Sequence, residues 1–245
     1  MTVHDVARAL PDIPVLRDVC WSMAMVEAVL NPDGERYYSF SATWSESQET
    51  ASMRNGSGDE FDIVFSSAGA YIRGFDHESP MSPYVDDEPW PGVVDSVPEV
   101  FHDCVTEPAF MFDDMPAVTV CMWREAGDDR WRAGEIDFPE GHADPDGAGW
   151  LFRLLTDPTP EAFQDFAEDY YETAVDIDAV RHMYAHRPLR RDTVRALNAT
   201  ASWASVAEAA AAIGYPVEGD PGPGADTATT KTADGDARTA VPTDG

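Results

Sequence analysis

Between positions 36 and 75 the side chains alternate in character. Tyr38, Phe40, Ala42 and Trp44 fall on one side of 36–46, and Phe61, Ile63 and Phe65 on one side of 60–66. A strand turns successive side chains to opposite faces, so a period of two marks strands that rest one face on a core. The turn segments "NGSGD" at 55–59 and "SAG" at 67–69 separate these runs as hairpins are separated, which makes the strands antiparallel. Residues 47–54 read as an edge strand and 69–75 as a central one.

Helical spacing frames this region. Leu16, Val19, Met23, Val26 and Leu30 share one face of 14–30, and "NPDG" stops that run. From 147 onward the period is again helical. In "TPEAFQDFAEDYYE", Thr159 is placed to cap and Pro160 to occupy the first helical position, with Phe163, Phe166, Ala167 and Tyr170 on one face. Shorter helices are expected at 177–186 and 190–197, and a last one over 203–213 that opens at Ser202 and closes at Gly214. A short helix is expected at 99–105 and a second hairpin from "AVTVCMWRE" and "RWRAGEI" around "AGDD" at 126–129.

The connection from 74 to about Pro98 holds five prolines, yet it carries Phe75, Met81, Tyr84, Trp90, Val93 and Val94. So much apolar surface predicts an ordered cover. The whole reads as a single α+β domain over 1–217. Its antiparallel sheet of five to six strands packs against an N-terminal helix and a C-terminal helical layer. Residues 218–245 are rich in Gly, Pro, Thr, Ala and Asp, with almost nothing to bury, and are expected to be a disordered acidic tail.

Charge limits the partners. The 245 residues include 46 acids and 16 bases, a net charge of -30. Positions 218–245 hold six of those acids and two of the bases, so 1–217 still carries -26. The only lysine is Lys231, and Asp outnumbers Glu by 29 to 17. Such a surface repels itself at low ionic strength, whereas at molar salt the screening length shrinks to about 3 Å. The balance resembles that of cytoplasmic proteins of salt-accumulating halophiles, and a cytoplasmic location is expected. A basic protein partner suits this charge; duplex nucleic acid and an anionic membrane do not. Cys20, Cys104 and Cys121 are widely spaced and read as free buried thiols.

Three groups of residues could carry chemistry. In "GFDHESPMSPY" at 74–84, Asp76, His77 and Glu78 stand in a row after a strand. Kept extended, the segment would point the two carboxylates to one side, able to share a proton or hold a hard cation; in a turn all three could converge. The competing reading has Asp76 capping the loop backbone while His77 hydrogen-bonds within the cover. "HMYAH" places His182 and His186 four apart, a spacing that suits zinc if a third ligand arrives. Arg181, Arg187, Arg190, Arg191 and Arg195 form the only basic cluster. The helix after them, "WASVAEAAAAIGY", has no cation to face phosphates, so they are expected to pair with the chain's own carboxylates.

With no assembled catalytic signature, the first expectation is a non-enzymatic binding protein of the inhibitor or immunity type with a salt-adapted surface. The alternative is a metal-assisted hydrolase using Asp76, His77 and Glu78.

Overall fold

The computed structural model describes residues 1–85 and 87–219. Helix α1 (Val3–Ala9) precedes the longest helix, α2 (Ile13–Leu30). Four strands follow, β1 (Tyr38–Ser45), β2 (Gln48–Arg54), β3 (Glu60–Ser66) and β4 (Gly69–Phe75). The cover segment leads through a 3-10 turn at Glu99–Phe101 to α3 (His102–Val105), and a small hairpin of β5 (Met111–Phe112) and β6 (Met115–Pro116) precedes β7 (Val120–Glu125). The rest is helical: α4 (Ala148–Leu151), α5 (Arg153–Thr156), α6 (Pro160–Tyr171), α7 (Ile177–Tyr184), α8 (Arg191–Leu197) and α9 (Trp203–Ile213). The fold is α+β. Tail residues from Asp220 onward lie outside the described residues.

The main sheet is antiparallel throughout, in the order β1-β2-β3-β4-β7. Chain order and spatial order coincide for the first four strands because each turn is short. Gly69 opens β4 at φ +135°, and a Cβ there would lie 2.1 Å from the Arg124 carbonyl oxygen, so the close approach of β4 to the end of β7 requires glycine. The two faces of the sheet bury different things. Tyr38, Phe40, Met53, Phe61, Ile63, Ile72 and Met122 meet α2 and the C-terminal helices. On the far face Val64, Tyr71, Cys121 and Trp123 meet Met81, Val93, Val97, Phe101 and Phe110 from the cover. The prolines of 74–98 thus hold a packed layer. The three cysteines are free and buried.

The caps explain the helix limits. The Thr159 hydroxyl accepts from Ala162 N at 3.2 Å, with Pro160 at the first position of α6. Gly214, at φ +77°, ends α9.

Several expectations need correction. β2 is interior, not an edge; β1 takes the edge. Of the polar residues of β2, Ser52 and Arg54 bind Asp62 in an ion network described below, and Glu49 pairs with Arg17. The second hairpin shrinks to one bridge, Trp123 with Arg132. Beyond it the chain turns to the cover: a Cβ at Gly134 would lie 1.9 Å from the Gly92 oxygen, and Trp90 Nε1 donates to the Asp137 carbonyl at 3.0 Å. Helix α1 was not expected. It is anchored by Val3 and Val6, both fully buried, and by the Val3 amide donating to Asp146 Oδ2 at 2.7 Å. No helix among the described residues is long and apolar enough to cross a membrane.

Candidate functional site

The loop after β4 brings Asp76 and His77 to Asp59, not to Glu78. Asp59 closes the turn between β2 and β3, and its Oδ1 accepts from the His77 amide at 2.9 Å and faces the His77 ring Nδ1 at 2.6 Å. Asn55 Nδ2 donates to Asp59 Oδ2 at 2.6 Å. One potential ligand atom from each of Asp59, Asp76 and His77 lies within 4.8 Å of the others. Glu78 is exposed, and only its amide takes part, donating to Asp76 Oδ1 at 2.9 Å.

The bonding is that of a loop clasp. Asp76 Oδ2 accepts from Trp150 Nε1 at 3.3 Å, and its amide donates to Thr119 Oγ1 at 3.2 Å. Gly147 at φ +76° leaves room for this carboxylate, since a Cβ there would stand 2.4 Å from Asp76 Oδ2. Burial, with the neighbouring Asp59 charge, raises the Asp76 carboxyl above its usual range. Burial also acts on Asp59, but hydrogen bonds from the His77 ring and amide and from Asn55 outweigh it and lower that carboxyl. The bond to Asp59 raises His77 above the ordinary imidazole value. The pair can therefore hold a charged His–Asp contact with the exposed ring directed by its carboxylate.

The capping role gives a direct expectation. Asp76→Ala removes both acceptors and should cost about 1–2 kcal/mol in urea unfolding. A neutral or stabilising result would mean that repulsion from Asp59 dominates the loop.

The other candidates are dispersed. His182 Nε2 faces the Pro188 carbonyl at 2.9 Å. His186 lies beyond the end of α7 at φ +52°, with its ring 5.4 Å from that of Trp21. The loss of helical geometry separates the surroundings of the two rings. Of the arginines, Arg181 pairs with Glu161 at 2.6 Å and Arg190 with Glu218 at 3.1 Å.

A second region was not visible in the chain pattern. On the cover side, Trp44 stacks on Phe110 at 6.3 Å between centroids, Tyr84 meets Phe112 at 4.8 Å and Phe75 at 5.1 Å. Trp44, Tyr84, Val85 and Phe112 keep 42, 45, 69 and 48% of their surface exposed. A cleft of about 680 Å³ is lined by Tyr84, Asp87, Phe112, Asp113 and Met115. Asp113 and Asp114 form the tip of the β5-β6 hairpin, both at positive φ. Burial and the charges of Glu60 and Asp113 raise the Tyr84 hydroxyl above its ordinary value.

Beneath this face Arg73 is 2% exposed. Its guanidinium donates to Asp62, Glu60 and the Ala117 carbonyl and lies 4.8 Å from the Phe110 centroid. Arg54 binds both Asp62 oxygens, at 2.9 and 3.0 Å, and Ser52 Oγ adds a bond at 2.6 Å. Another cleft, of about 900 Å³, lies elsewhere, among His4, Arg8, Trp123, Arg130, Trp131 and Glu135.

No known family model, curated protein or solved structure matches the chain.

Proposed function

We propose that the protein is a non-enzymatic binding module of the inhibitor or immunity type, working in the cytoplasm with a salt-adapted surface. Its aromatic face, edged by Asp87, Asp113 and Asp114, would hold a basic protein partner. The observation that carries this reading is the exposure of Tyr84 and Phe112 in one cleft, with the exposed Trp44 stacked on Phe110 and the exposed Val85 next to Tyr84 in the chain. Tyrosine and tryptophan supply large contact area at low entropic cost and dominate binding hot spots. Carboxylates around them steer and orient a cationic partner. The loop acids Asp59 and Asp76, by contrast, are occupied in holding backbone and side-chain donors.

A photo-crosslinking residue in place of Phe112 tests this in native lysate. It should capture one basic protein, whereas the same residue in place of Tyr170, exposed on α6, should not. Tyr84→Ala should weaken the captured complex by about tenfold or more. Equal capture from both positions, or an acidic partner, would overturn the proposal. Salt adaptation predicts in addition that the unfolding temperature rises steeply from low to molar KCl. A flat response would remove that part of the reading and leave the acids to the interface.

The 4.8 Å grouping of Asp59, Asp76 and His77 favours one second reading, a metal-assisted hydrolase. It requires that Mn²⁺ or Zn²⁺ raise the melting temperature of the parent and that Asp59→Asn abolish the rise.

A further inference from the structure

A separate cleft, lined by other residues, carries an opposite feature. This cleft, of about 520 Å³, is lined by Leu189, Arg190, Arg191, Asp192, Arg195, Trp203 and Glu218. Three guanidinium groups thus face two acids, in a chain whose overall charge is -30. Among the described ion pairs, Glu218 engages Arg190 and nothing engages Arg191 or Arg195. Asp192, placed between them, turns one oxygen back to the Thr193 amide at 2.9 Å.

Arg191 and Arg195 are four apart on α8, which places their side chains on the same helix face, where like charges repel. Arg191 is further fixed over the Trp203 ring, 4.4 Å from its centroid. In so acidic a chain, two neighbouring arginines that pair with no carboxylate among the described residues and line one cleft form an arrangement suited to an outside anion.

We infer that this cleft binds the phosphate group of a small molecule between Arg191 and Arg195, with Arg190 as a third donor released from Glu218. A guanidinium presents parallel N–H donors that match two oxygens of one anion, and a tetrahedral dianion has enough oxygens for two such forks. A long polyanion would be repelled by the surrounding acidic surface, whereas a small one can enter the local positive field. Trp203 supplies an apolar wall that holds one fork in place. This site is independent of the aromatic face and of the partner proposed for it.

The test uses the full chain labelled with 5-fluorotryptophan, with the Trp203 ¹⁹F resonance assigned by Trp203→Phe. Inorganic phosphate is titrated at constant ionic strength maintained with KCl. A saturable shift of the Trp203 resonance is expected, about tenfold weaker in Arg195→Gln, while Arg195→Lys retains part of the affinity. Arg195 is exposed, so these variants keep the fold. An unmoved Trp203 signal would overturn the proposal. So would an unchanged titration in Arg195→Gln, or an equal shift when KCl alone is varied.

Discussion

Arg73→Leu should lower stability by about 3 kcal/mol, the low end of the 3–5 kcal/mol typical of breaking a buried ion pair. Both Arg73 and Asp62 are nearly inaccessible, so the lost cation is not replaced by water. The loss stays at the low end because Asp62 keeps Arg54 and Ser52 as partners. Glu60, which also pairs with Arg54 at 2.8 Å, is similarly protected. The double variant Asp62→Leu/Arg73→Leu should recover part of the loss, because it removes the uncompensated charge as well. Urea unfolding of the two singles and the double gives the coupling directly. Additive losses would show that the two charges act independently. The substitution should also weaken any complex at the aromatic face, since Phe110 rests on the Arg73 guanidinium.

A pH series should show the second large effect. Glu27 is fully buried in α2; its Oε2 accepts from Tyr171 Oη and the Tyr37 amide, and its Oε1 has no hydrogen-bond partner among the described residues. Burial pushes the carboxyl up to about 7 from an ordinary 4.5. Because the folded value lies above the unfolded one, the folded state holds the proton more tightly. Its stabilising effect is complete below about 4.5 and is lost as pH rises through 7. The loss is on the order of 3 kcal/mol. Glu27→Gln can keep both accepted bonds without the charge, so it should match the parent near pH 4.5 and exceed it by up to that amount at pH 8. Parallel pH profiles would refute this. Asp146, pushed up to about 6 by burial, acts in the same direction over a lower window and persists in the variant.

Where periodicity was clean, the chain announced its fold. The face of Leu16, Val19 and Met23 made α2 legible, the alternation of Phe61, Ile63 and Phe65 made β3 legible, and Thr159-Pro160 marked the start of α6. Strand β2 misled because Gln48, Glu49, Ser52 and Arg54 resemble a solvated edge, and nothing local reveals that Asp62 and Arg73 wait across the sheet. The role of Asp59 is hidden for a related reason. In "NGSGD" it reads as a turn acid, and its contact with His77 spans 18 positions brought together by the β3-β4 register. Glu78 illustrates the reverse: adjacency suggested convergence, but the loop turns its side chain to solvent. The aromatic face assembles from three distant segments, so no window of sequence contains it.

The order of the sheet bears on how the molecule is made. Strands β1 to β4 pair with one another in chain order and only β4 also takes a distant partner, β7, so this meander closes short loops and can form early as the chain leaves the ribosome. Helix α2, synthesised before it, cannot be fully covered then. The Trp21 indole waits for the Ile213 carbonyl, 2.8 Å away in the finished fold, and for the Tyr215 ring at 4.7 Å. Nearly two hundred residues are translated between these partners. One side of the first long helix therefore stays sticky until α9 and Tyr215 have been made, which makes it the surface on which a nascent-chain chaperone would act.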